Sequence, residues 1–316
     1  MREAFLNGER PSSPGSGPDG PQAIRRKAEE IAAALPALLV EANKVAATVA
    51  QGVHGRRRVG RGEAFWQFRR YSPGDPIHGI DWRQSAKSDA LYIREREWEA
   101  AESVWLWRDD SASMRYRSSR DLPEKQERAE ILLLAVAALL VRGGERVALL
   151  GKEGAPQGGQ AGLNRLAETL LLYPAESGTE GNLPPQAPLP RFARLVMIGD
   201  FLSPLPQIAA SVRAYSAAGA TCHLLQVLDP AEEALPFTGR VRFEGLEGEA
   251  PFLVSRVENL REAYLARLAA RTESLKDLAL KTGGTFSVHR TDHPPQTALL
   301  ALYEALAASP AGYMRD

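Results

Sequence analysis

Residues 109–114, DDSASM, set three small oxygen donors, Asp109, Ser111 and Ser113, at alternate positions of one short segment. A chain turning through such a D-x-S-x-S pattern can aim one carboxylate and two hydroxyls at a single point. That donor set suits a hard cation that keeps several of its waters, Mg2+ first, with Mn2+ or Ca2+ as the other choices. The competing reading is a turn or a helix cap, since Asp and Ser favour both. A second carboxylate, Asp200, ends the run RLVMIGD and opens the loop DFLSPL. Its competing role is to cap the following helix together with Ser203.

These donors can act together only if the surrounding elements bring them together. From residue 103 onward the sequence alternates between short apolar runs and longer stretches with helical spacing. Strands are expected at 104–107 (VWLW), 146–151, 194–200, 221–229 and 285–289. Helices are expected at 125–144, 163–173, 205–219, 259–284 and roughly 294–308, several of them ending at glycine. Repeated strand–helix units imply a mostly parallel sheet covered on both faces. Asp109 and Asp200 both follow the C-terminal ends of strands, where an open α/β sheet binds its ligands.

The N-terminal part reads differently. Residues 1–22 are rich in Pro, Gly and Ser and are expected to form a disordered tail. Residues 23–51 have helical periodicity, with Pro36 expected either to divide the stretch into two helices or to mark a first turn. Residues 53–99 carry Trp66, Trp82 and Trp98 among many Arg and Asp, and end in the alternating LYIREREWE. They are expected to form a small β-rich unit packed on the α/β region downstream of it. The division is therefore a tail at 1–22, a helix and β-rich unit at 23–99, an α/β domain at 100–308, and a tail at 309–316.

VWLWRDDSASM, then helix, strand, helix and RLVMIGDFLS, resembles the von Willebrand factor A-type fold. That resemblance implies an α/β, doubly wound, mostly parallel sheet with helices on both faces. It also implies a metal-ion-dependent adhesion site formed by Asp109, Ser111, Ser113 and Asp200 with a Thr from another loop. Thr179, in ESGTEGN, is the nearest residue for that last role. A second resemblance lies in residues 60–99. Gly60, Gly62, Phe65, Arg69, Tyr71, Gly74, Asp75, Ile80, Asp81, Trp82, Ser85, Ala86, Arg94, Glu95 and Glu97 are similar to the signature of the domain-of-unknown-function family 58, found in bacteria beside MoxR-type AAA+ ATPases. This resemblance implies such an ATPase as partner, in protein maturation or complex assembly. Read physically, Gly74 and Asp75 after Ser72–Pro73 form a turn. Arg69, Arg70, Arg83 and Arg94 can pair with Asp75 and Asp81, and Trp66 and Trp82 can form a packed aromatic centre. A structural staple joining the β-rich unit to the α/β domain is favoured over catalysis.

Other features narrow the function. Formal net charge is zero, so nothing draws the whole chain toward nucleic acid or an anionic membrane. The basic run at 55–61 is expected to be solvated or ion-paired. GKEGAPQGG (151–159) lacks the phosphate-cradling pattern. His54, His78, His223, His289 and His293 lack zinc-protease spacing, and the serines lack a G-x-S-x-G setting. The lone Cys222 reads as a core thiol. The longest apolar run, Ile131–Val141, is too short to span a bilayer, and residues 7–22 are no signal peptide. A cytoplasmic, non-enzymatic, metal-dependent interaction module is the leading expectation. The alternatives are a metal-dependent hydrolase or phosphatase, disfavoured because Ser111 stands where an aspartate pair needs its second Asp, and a structural module with a vacant metal loop.

Overall fold

In the computed structural model the described residues are 37, 39–50, 65–71, 80, 82–87, 90–96, 103–152, 154–172, 183–246 and 250–308. Five strands make a wholly parallel sheet: β3 (Ser103–Arg108), β4 (Arg146–Leu149), β5 (Arg194–Gly199), β6 (Thr221–Leu228) and β9 (Thr285–Arg290). Their order is β4-β3-β5-β6-β9. The chain runs outward from β3 to β4 and then returns to β5 on the other side of β3. The order therefore reverses between β3 and β5, opening a crevice at the C-terminal ends of those two strands. Beyond β4 the edge carries one antiparallel bridge, Val147 to Gln157.

Alternation along the strands divides the core in two. Val104 and Leu106 of β3, Val196 and Ile198 of β5, and Leu225 and Val227 of β6 face one side. Trp107, Leu195, Met197, Cys222 and Leu224 face the other. Such two-sided burial is why these strands read as continuous apolar runs. On the first side lie α3 (Lys125–Arg142), α4 (Gly159–Leu172) and α8 (Pro295–Ala308), joined by α1 over 39–50 through Ala42, Val45, Ala46 and Val49. On the second side lie α5 (Leu205–Ala217) and α7 (Glu258–Lys281). Helix α3 is buried without interruption from Ile131 to Leu140, because the sheet covers one face and neighbouring helices cover the others.

The mixed α/β architecture with a parallel sheet matches the sequence expectation. Helix α4 starts at Gly159, before the expected residue 163. Two features lie outside that expectation: the short helix α6 (Pro230–Ala234), and the antiparallel pair β7 (Val241–Phe243) and β8 (Phe252–Val254). In the signature region, β1 (Phe65–Arg70) pairs antiparallel with β2 (Tyr92–Arg96), opposing Arg69 to Ile93, Phe68 to Arg94 and Gln67 to Glu95. A single helical turn, α2 (Trp82–Ser85), lies between them in sequence. The expected strand within LYIREREWE is β2.

Candidate metal centre at the strand switch point

Asp109 immediately follows β3. Its amide donates to the carbonyl of Ile198 at 2.8 Å, extending the pairing with β5 by one residue. The side chain lies over Gly199. A Cβ there would stand 2.5 Å from the Asp109 Cβ and 2.9 Å from its Oδ2, so only glycine permits this approach. Asp109 Oδ1 accepts the Ser111 amide at 2.9 Å, the local turn that Asp–x–Ser favours. Ser111 Oγ lies 2.9 Å from Ser113 Oγ, and Ser113 Oγ donates to Asp200 Oδ2 at 2.7 Å. A 3-10 turn, Ala112–Arg115, carries Ser113 back toward the sheet and is anchored by the fully buried Met114.

Asp200 follows β5 and is equally enclosed. Its Oδ1 accepts the Leu202 amide at 3.1 Å, and its carbonyl accepts Gln226 Nε2 at 3.1 Å. The next residue, Phe201, has φ 54°, a left-handed conformation unusual for a bulky side chain. Arg271 of α7 holds that turn: its guanidinium donates to the carbonyls of Phe201, at 2.9 Å from Nε, and of Ser203. Ser203 thus serves the loop through its carbonyl, and the helix that follows has no side-chain cap bond.

The sequence-expected donors Asp109, Ser111, Ser113 and Asp200 are therefore brought together in one hydrogen-bonded chain spanning the loops after β3 and β5. Thr179 lies outside the described residues. So do Gly74, Asp75 and Asp81 of the signature. Arg69, Arg94 and Glu95 lie on the β1–β2 pair. Tyr71 donates its amide to the Leu91 carbonyl at 2.8 Å. Ser85 is buried and accepts the Tyr92 amide at 2.9 Å, so it fastens the α2 turn to β2. One expectation is corrected: Trp82 is 62% exposed, not the centre of an aromatic core. The short α2 turn aims it outward, while Ser85, one turn away, takes the buried position.

Sequence reasoning missed the cation already present. Lys125, the first residue of α3, is completely buried, with Nζ 2.9 Å from Asp200 Oδ2 and 2.6 Å from Glu232 Oε1. The Tyr116 ring lies beside it, 5.9 Å from Nζ to the centroid. Glu232 belongs to α6, whose capping box is readable in DPAE: Asp229 Oδ1 accepts the Ala231 amide at 2.8 Å, and Glu232 Oε2 accepts the Asp229 amide at 2.9 Å. Asp229 Oδ2 also accepts the Ser118 amide at 2.9 Å, tying α6 to the loop before α3. A lysine in the first turn of a helix opposes the helix dipole, and that misplaced charge was the available signal.

The electrostatics arise from these contacts. Burial, then the nearby Asp200 carboxylate, push Asp109 up to about 7 from 3.8. Lys125 is drawn down by burial, but Asp200 and Glu232 outweigh this and raise it, so it stays charged. Burial raises Glu232 against the opposing pull of Lys125. The loop thus offers hard oxygen atoms around an excess of negative charge, a chemistry that fits Mg2+ better than a soft metal. Among the described residues no three His, Cys, Asp or Glu side chains are grouped to hold a metal, so such an ion would depend on the two hydroxyls and on water. Cys222 is buried and its thiol is pushed up to about 12 by burial, which removes it as a nucleophile. Among the described residues no helix is long and apolar enough to cross a membrane.

The chain is 26% identical over 275 residues to uncharacterized proteins of Mycobacterium bovis and Mycobacterium tuberculosis, covering 83% of this chain and 86% of each relative. Among solved structures it is similar to an aerotolerance-related membrane protein of Bacteroides fragilis, at 17% identity and a TM-score of 0.37, covering 66% of this chain and 99% of that one. BatB of Bacteroides thetaiotaomicron gives 15% identity and the same TM-score, covering 66% and 100%. Likeness of that degree carries no weight for fold or function. Residues 67–274 match the model of the family described as protein of unknown function DUF58, well over half of the sequence, and the chain belongs to that family.

Proposed function

We propose that this chain is a metal-dependent protein-interaction module with a von Willebrand factor A-like site. Asp109, Ser111, Ser113 and Asp200 would hold a divalent cation, Mg2+ by preference. The supporting observation is the hydrogen-bonded chain Ser111–Ser113–Asp200, which bridges two loops otherwise distant in sequence. A bound ion supplies an open coordination position that a partner's carboxylate can fill. The protein's own part is positional. Gly199 admits Asp109 to the crevice, the Ser111 amide orients its carboxylate, and Arg271 fixes the loop that carries Asp200. Thr179 would be a further donor.

The partner class, a MoxR-type AAA+ ATPase in the cytoplasm, rests on the family resemblance of residues 60–99. The signature has two parts in this reading. Ser85 fastens the small unit internally, while the exposed Trp82 is open to a partner.

The test is calorimetric titration of Mg2+ and Mn2+ into chelator-treated wild type and Asp109→Ala. Saturable binding by the wild type that is lost in the variant is the expected result. A wild type that binds neither ion overturns the reading. Asp109-dependent hydrolysis of a simple phosphoester in Mg2+ would replace the interaction module with a hydrolase.

A further inference from the structure

We infer that Lys125 is a resident cation of the switch-point site: it occupies Asp200, competes with any divalent ion there, and sets how tightly that ion is held. The inference rests on the metal-binding reading above but concerns a residue outside its donor set.

Both oxygens of Asp200 are already engaged. Oδ1 accepts the Leu202 amide, and Oδ2 accepts both Ser113 Oγ and Lys125 Nζ. The ammonium is not a passing surface charge. It is fully buried and held between two carboxylates, those of Asp200 after β5 and Glu232 in α6, so neither can be withdrawn without leaving it partly unpaired. Lys125 also sits where the helix dipole disfavours it, so the acids around it must supply its stabilisation. A divalent ion against Ser113 and Asp200 meets this ammonium at close range, in surroundings that screen charge poorly.

The acidic crevice therefore keeps a counter-charge when no metal is bound, so the fold does not depend on the ion. The ion's affinity, in turn, is reduced by the repulsion. Glu232, fixed by the α6 capping box, gives the ammonium a second carboxylate to rest on if Asp200 turns toward an arriving cation.

The experiment compares wild type, Lys125→Met, and the double variant Lys125→Met/Glu232→Gln, each stripped with chelator. Each is titrated with Mn2+ and with Mg2+ by calorimetry and melted with and without the ion. The double variant keeps the formal charge of the site, since one cation and one anion are removed together, and it decides the matter if the single variant fails to fold without metal. Lys125→Met is expected to bind at least about tenfold more tightly than wild type. Its melting temperature should be lower in chelator and rise further on adding ion than that of the wild type. Unchanged affinity in a variant that binds metal overturns the inference and leaves the metal-binding reading standing. Binding by either variant with none by wild type supports the inference and overturns metal dependence in the natural protein. No binding by any of the three overturns both.

Discussion

At the scale of single residues, the candidate site depends on one missing side chain as much as on those present. Gly199 lies directly under Asp109, and a methyl group there would overlap its Cβ. Gly199→Ala is therefore expected to destabilise by about 1–3 kcal/mol, as overpacking of a tight interior does. It should also weaken cation binding by displacing the carboxylate. Urea unfolding together with Mn2+ titration checks both, and a variant indistinguishable from wild type would mean that the loop yields freely. The D-x-S-x-S donors were legible in the sequence because their spacing is local. Lys125 and Glu232 were not, because their meaning depends on a meeting 107 residues apart in the chain. Trp82 misled for a related reason: its residue type suggested a core, but a single helical turn decides which way its ring points.

At the scale of elements, the short helix α6 has a role out of proportion to its five residues. Its cap residue, Asp229, is fully buried and holds the amides of Ala231 and Ser118. Asp229→Ala should cost about 1–2 kcal/mol through the lost cap. It should also loosen the anchoring of Lys125 through Glu232. The check is a shift in urea midpoint with an unchanged slope; no shift would show that neighbouring bonds replace the cap. The central strands β3, β5 and β6 were legible because burial on both faces leaves continuous apolar runs, and α3 was legible from its length. The β7–β8 pair was not, because its strands are three residues each, too short for a period of two to register, and none of their residues is buried. The capping box of α6 is readable in DPAE, but a helix of one turn adds no periodicity to support it.

At the scale of the whole molecule, two rings on neighbouring strands contribute to the response to acid. His223 and His289 are buried on β6 and β9, and burial lowers both to about 4 from 6.5, with a further push from Arg194 and Arg128 respectively. Among the described residues the Nε2 atoms of both have no hydrogen-bond partner, so protonation would bury an unsatisfied N–H. Between pH 6.5 and 4 the unfolded chain takes up these protons and the folded chain does not. Stability contributed by the neutral rings is thus fully present above pH 6.5 and lost as pH falls toward 4, by roughly 3 kcal/mol for each ring. Asp109 has the opposite sign in metal-free protein, so the informative quantity is the difference between wild type and His223→Gln across pH. The variant should lose about that amount of pH dependence; parallel curves would show that His223 is not neutral in the fold. A last consequence concerns α3. Its walls are closed along Ile131–Leu140, and both its ends are tethered. Lys125 stands at one end, in the acidic crevice, and Arg142 at the other donates to Asn43 of α1 at 2.8 Å. At 1.5 Å per residue the two ends are about 27 Å apart. One buried helix thus ties the acidic crevice, through its first residue, to α1, through its last.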